Sequence, residues 1–162
     1  MNRCTWAGRW LARMGACALG ASLLLLARTG GASLGGDSAS VEVDRAWAKG
    51  ETRILVTGTH TVHEIYLPEG TLVSEYVSPA GVVFGVTWRG PFRPDIRQLL
   101  GAYFEEFREA AEASKRSHAG RGPLVVNHPN LVVEMTGHPR AFFGRAYVRS
   151  LLPQGFALDD IR

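Results

Sequence analysis

The chain has 162 residues, 18 Lys+Arg against 15 Asp+Glu, and a formal net charge of +3. That surplus sits in residues 1–32, which hold Arg3, Arg9, Arg13 and Arg28, both cysteines (Cys4 and Cys17) and no acid; with those four cations set aside from the 18, the rest carries 14 basic groups against 15 acidic ones. Disulfides, thiolate catalysis and cysteine-ligated metal are thereby excluded from the remainder, as is a general charge bias toward nucleic acid.

Residues Met1–Arg13 are basic, Met14–Ala27 are uncharged and apolar, and Thr29–Ala32 supply small residues. This is the three-part plan of a secretory signal peptide, with cleavage expected between Ala32 and Ser33. The apolar run is shorter than the roughly 20 residues that span a bilayer, so a cleaved signal (1–32) is favoured over an anchor. Cys17 precedes the leucine-rich part of the run, which argues against lipidation there. The mature chain is expected in the periplasm or outside the cell, with no membrane association after signal removal.

Ser33–Asp37 read as the start of a flexible leader (33–52), in which Ser38 or Ser40 could cap a short helix through Val41, Val43 and Trp47, stopped at Gly50. A single domain is expected over 53–162. Strand character begins at Arg53: His60–Leu67, Thr71–Ser78 and Val82–Trp88 are separated by Pro68-Glu69-Gly70 and Pro79-Ala80-Gly81, giving an antiparallel meander. In the third run Val82, Phe84, Val86 and Trp88 share one face, the expected core face. Gly85 on the other face leaves room for a close neighbour.

Pro94-Asp95 marks a helix start. Ile96, Leu99, Leu100, Tyr103, Phe104, Phe107, Ala110 and Ala111 form one stripe at helical spacing, with Arg97, Glu105, Glu106, Arg108, Glu109 and Glu112 on the other side. The spacing predicts one helix over about Asp95–Ser114 lying across the sheet. Leu124–Asn127 and Leu131–Thr136 read as short strands, Gly137–Arg140 as a turn, Ala141–Arg149 as another strand, and the end of the chain as an irregular tail. The expected fold class is α+β, one antiparallel sheet in the order β-β-β-α-β-β with the long amphipathic helix on one face.

Several pieces in this order carry a family resemblance: Ser-Leu-Gly-Gly at 33–36, Val-Ser-Glu75-Tyr76-Val-Ser, Val83-Phe84-Gly-Val-Thr-Trp88-Arg-Gly90-Pro91, Pro94-Asp95, Leu99-Leu100-Gly101-x-Tyr103-Phe104, Gly137-His138-x-Arg140-Ala-Phe and Gly144-Arg145-Ala146-Tyr147. The chain resembles a proteobacterial family of exported proteins, domain of unknown function 2844. The resemblance implies a Gram-negative source and export, and it brings no activity, ligand or catalytic residue with it.

His60-x-x-His63-Glu64 would suit a metal on a helix, but on a strand residues three apart face opposite ways. His128 and His138 stand in separate turns without a zinc spacing, and no metal or cofactor is expected. The exported part has no Gly-x-Ser-x-Gly elbow and no Ser-x-x-Lys pair, and its Gly-rich stretches precede no strand-loop-helix unit that would make a phosphate loop. The group that could bind is Arg140, Arg145, Tyr147 and Arg149. Positions 145, 147 and 149 alternate along one strand, so their guanidiniums and phenol could grip a carboxylate, a phosphate or an acidic partner; the bland alternative pairs them with Glu64 or Glu75. Three functions follow. The first is a non-enzymatic exported binding module for a small acidic ligand or an envelope protein. The second is a small hydrolase using His138 with Glu134 or Asp95 as the orienting acid. The third is an envelope assembly accessory that docks by an exposed sheet edge.

Overall fold

Runs of β-branched and aromatic residues punctuated by Pro-Glu-Gly, Pro-Ala-Gly and Pro-Arg turns fold into seven antiparallel strands of one sheet. The computed structural model describes residues 34–37, 51–117 and 122–162; the predicted signal peptide, its cleavage bond at Ala32–Ser33 and the short helix expected at 38–50 lie outside the described residues. The strands are β1 (Glu51–Val56), β2 (Thr61–Tyr66), β3 (Leu72–Val77), β4 (Val83–Gly90), β5 (Leu124–Asn127), β6 (Leu131–His138) and β7 (Ala141–Val148). They are arranged β1-β2-β3-β4-β7-β6-β5.

The element order is therefore β-β-β-β-α-β-β-β, not the β-β-β-α-β-β expected. The extra leading strand, β1, is mostly exposed and forms a sheet edge. A strand with little to bury shows no clear alternation, which is why its pattern was not distinctive. Behind the helix, three short runs each form a separate strand. Because β4 pairs with β7, the helical connection must carry the chain past two strands to the far edge, roughly 14 Å at the usual strand spacing.

Asp95 caps α1 (Ile96–Leu100): its carboxylate accepts from the backbone N–H of Arg97 at 2.9 Å and of Gln98 at 3.2 Å. The predicted continuous helix is interrupted. Gly101 has φ 47°, and a 3-10 turn over Gly101–Tyr103 leads into α2 (Phe104–Ser117). Leu99, Leu100, Phe107 and Ala111 still point at the sheet, since a 3-10 turn inside the stripe keeps the same side inward. They pack with Ile65, Val73, Val86, Trp88, Val133 and Ala146 in the main core. On the outer side Arg108 bridges Glu105 and Glu112 at 2.7 and 3.7 Å.

The expected core face of β4 is divided by a β-bulge. Val83 pairs with Val77 and Gly85 with Tyr76, so Phe84 is the extra residue. Val83, Val86 and Trp88 face the helix, whereas Phe84 enters a second core on the opposite face with Val62, Tyr76, Val132, Tyr147 and Ile161. The cover over this second core is the carboxyl-terminal segment. Leu152 and Phe156 pack against it, Ile161 is 1% exposed, and the Tyr76 hydroxyl donates to the carbonyl of Arg162 (3.0 Å) while accepting from its N–H (3.2 Å). Gly85 does admit a close neighbour: a Cβ there would lie 3.3 Å from Ile161 Cδ1.

Leu34–Asp37, read as part of a flexible leader, are docked. Leu34 is 1% exposed; its N–H donates to Leu99 O, the Gly35 N–H to Val83 O, and the Val83 N–H to Gly36 O. An apolar side chain followed by two glycines is enough to seat the segment between α1 and β4.

Candidate functional site

Register places one residue from every strand in a line across the face opposite the helix: Arg53, Glu64, Ser74, Thr87, Arg145, Glu134 and Val125. Directly opposed residues of antiparallel strands share a face, so this line is a property of the pairing. Ser74 and Thr87, small and buried, lie between Glu64 on one side and Arg145 with Glu134 on the other. Short side chains flanked by long ones leave a depression. A cavity of about 700 Å³ opens there, with Ile161 and Arg162 of the tail, and Leu72, Arg89 and Phe143 of the next cross-strand line, also on its wall.

Arg145 and Glu134 are directly opposed on β7 and β6 and form a bidentate pair, Nε to Oε2 at 2.9 Å and the second guanidinium nitrogen to Oε1 at 3.2 Å. The hydrogen bond to Glu134 raises the Arg145 guanidinium above its ordinary pKa, with partial burial opposing. Both carboxylate oxygens are thereby used. The acids considered from sequence, Glu64 and Glu75, are not its partners: Glu64 accepts from the Tyr66 hydroxyl at 3.2 Å, and Glu75 is fully buried on the helix side.

The four predicted binding residues do not form one grip. Tyr147 shares the face of Arg145 but is buried in the second core. Strand β7 ends at Val148, so Arg149 has left the alternation and fastens the β5–β6 turn. Its guanidinium donates to the carbonyls of His128 (2.6 Å) and Pro129 (3.1 Å) and to Asn127 Oδ1 (2.7 Å). Arg140 lies in the two-residue β6–β7 turn with φ 70°, exposed.

The catalytic candidate His138 is exposed and its Nδ1 lies 3.1 Å from Pro139 O, in its own turn. Neither proposed orienting acid serves it: Glu134 holds Arg145 and lies four strand residues away, about 13 Å, and Asp95 caps α1. His128 instead pairs with Glu106 of α2. His60 and His63 face opposite sides, as strand geometry requires. The His60 ring stacks on Tyr76 (5.8 Å between centroids) and meets Phe156 edge-on (5.0 Å), while His63 is opposed to Glu75 on the helix side. Burial lowers the His60 pKa, with Asp160 opposing weakly.

Two features of the candidate site lay beyond sequence reasoning. One is the polar line with its small floor, which becomes visible only when the registers of β2, β3, β4, β6 and β7 are known. The other is Arg89, whose neighbours Leu72 and Phe143 come from different strands. Among the described residues Arg89 makes no ion pair or side-chain hydrogen bond, no three potential metal ligands cluster, and no helix is long and apolar enough to cross a membrane.

No curated protein and no solved structure matches this chain. A family model described as a protein of unknown function, DUF2844, matches residues 30–161, and the chain belongs to that family.

Proposed function

We propose that this protein is an exported, non-enzymatic binding module that receives a small ligand in the cavity on the face of the sheet opposite the helix. The observation that carries this reading is the cavity of about 700 Å³ itself, a size ordinary for small-molecule sites, with a small-residue floor and charged and apolar walls. Its floor and most of its wall come from β-strands of the central sheet, which hold side chains more firmly than loops do. The paired state of Arg145 and Glu134 makes them a rigid wall. The hydrolase reading loses support because both acids it needs are engaged elsewhere. Export rests on the charge and apolar pattern of residues 1–32.

The decisive variant is Thr87→Trp, which fills the cavity floor. If the reading is right, the wild-type protein shows ligand-induced stabilisation or shift changes at Ser74 and Thr87 in a fragment screen, and Thr87→Trp, folded by circular dichroism, shows neither. A folded Thr87→Trp protein that responds like the wild type would refute the cavity assignment. Sequencing the amino terminus of protein recovered from the source cell tests export: a start at Ser33 supports it, and a soluble chain retaining Met1 overturns it.

A second reading, an envelope accessory docking by a sheet edge, is favoured by Ile54 and Val56 of edge strand β1, which are 54% and 78% exposed. Ile54→Lys would abolish copurification of a partner under that reading and leave small-ligand binding unchanged.

A further inference from the structure

Five charged side chains border the cavity: Glu64, Glu134, Arg89, Arg145 and Arg162. Glu134 and Arg145 cancel each other through the bidentate pair. Neither Arg89 nor Arg162 has an ion pair among the described residues, but only Arg89 is fixed by strand register beside an exposed aromatic ring. Arg89 is itself exposed. Register fixes its setting, since Leu72 of β3 and Phe143 of β7 are opposed to it on either side. Phe143 is 50% exposed, a large apolar surface left open beside a free cation. Thr87 is two residues back on the same strand and face, at the cavity floor, and Arg145 lies diagonally across from Arg89 at about 7–8 Å between backbones. Ile161 closes the opposite end with an apolar side chain.

An unpaired guanidinium next to an open aromatic ring, at one end of a trough whose floor bears two hydroxyls, suits a ligand that is charged at one end and apolar along its body. A carboxylate matches the two-pronged donor geometry of arginine. A cationic ligand would meet Arg89 with like charge and find Glu134 already engaged, while Glu64, which accepts from the Tyr66 hydroxyl, stands across the Ser74–Thr87 floor from Arg89 and Phe143. We infer that the cavity takes an amphipathic small-molecule carboxylate, an aryl- or alkyl-carboxylate, with its acid group on Arg89 and its apolar body along Leu72 and Phe143 over the Ser74–Thr87 floor. This rests on the proposed reading of the cavity as a ligand site, and it moves the acid-binding role from Arg145 and Arg149 to Arg89.

Three probes with one body and different heads separate the two claims: 4-phenylbutyrate, 4-phenylbutanamide and 4-phenylbutylamine, each titrated into the isotope-labelled protein and followed by amide chemical shifts. The expected result is that the carboxylate perturbs Ser74, Thr87 and Arg89, and that the amide binds about tenfold or more weakly, as loss of a charge-assisted bond implies. The amine should bind no better than the amide. Arg89→Gln, with an unchanged melting temperature, should bring the carboxylate down to the level of the amide; Arg140→Gly should leave its affinity unchanged. Equal binding of all three probes at the cavity would overturn the carboxylate assignment while leaving the cavity a ligand site. Unchanged carboxylate affinity in Arg89→Gln would overturn the role of Arg89. No shift at the cavity with any probe, in a protein shown to be folded, would overturn the proposed reading and this inference together.

Discussion

The Trp88 indole occupies the place a side chain would take at Gly144: a Cβ built on Gly144 would lie 2.0 Å from Trp88 Cζ2 and 2.3 Å from Cε2. The two residues are directly opposed on β4 and β7, so the ring lies across its neighbour's backbone on the helix side. Because the atoms met belong to a rigid ring buried to 2% exposure, they cannot swing aside cheaply. Gly144→Ala is expected to cost about 1–3 kcal/mol, the usual range for overpacking a dense core. Urea unfolding followed by far-ultraviolet circular dichroism measures it, and Trp88→Leu in the same chain should recover part of the loss specific to Gly144→Ala.

Gly101 carries a second backbone requirement, because φ 47° lies in the left-handed region that L side chains avoid. Gly101→Ala should destabilise by about 1–2 kcal/mol. Ala102→Gly, one residue on and exposed, serves as the contrasting change in the same turn. If Gly101→Ala instead stabilised the protein, as alanine does within an unbroken helix, the interruption between α1 and α2 would be refuted.

The Arg145–Glu134 pair is well formed but one-third or more exposed, with side-chain exposures of 35% and 39%. Solvent screens such pairs, and Glu134→Gln is expected to lower stability by no more than about 1 kcal/mol. The loss should shrink as salt is raised. Thermal melts at low and high sodium chloride provide the comparison.

His60 makes stability depend on pH. Its pKa in the folded protein lies below the ordinary 6.5, because burial beside Tyr76 and Phe156 disfavours the imidazolium. Above pH 6.5 the ring is neutral in both folded and unfolded chains. As pH falls below that value the unfolded chain takes up the proton first, so this contribution to stability declines until the folded value is passed, then levels off. The stability advantage of the wild type over His60→Asn should therefore narrow between pH 8 and pH 5 in paired urea titrations.

Tyr76→Phe removes the hydroxyl that both donates to and accepts from the backbone of Arg162. Loss of this hydroxyl is expected to cost about 1 kcal/mol, concentrated in the tail. Hydrogen exchange should accelerate over residues 156–162 and stay unchanged in β6.

Much of the fold was legible in the sequence. The meander of β2–β4, the Asp95 cap, the inward stripe from Leu99 to Ala111 and the opposite facing of His60 and His63 follow from local periodicity. What escaped was set by tertiary pairing. The break at Gly101 hid because a 3-10 turn keeps Tyr103 and Phe104 on the stripe. The bulge at Phe84 hid because one inserted residue changes which side chains face the core without changing composition. The Arg145–Glu134 pair joins residues eleven apart whose meeting depends on the β6–β7 register, and Arg149 was misassigned to the same face because its strand stops one residue earlier. The cavity needed the registers of five strands, and no spacing along the chain encodes them.

Under the export reading, the docking of Leu34 sets an order in time. A peptidase that cuts between Ala32 and Ser33, the bond proposed for export, needs chain on both sides of that bond extended and free. The docked state holds the chain from the second residue beyond it, through Leu34 buried against the sheet and its N–H bonded to Leu99 O. The two conditions exclude each other. Under the export reading, release from the signal peptide comes before this corner of the fold closes, and an uncut precursor would be caught with its first anchoring contact still open.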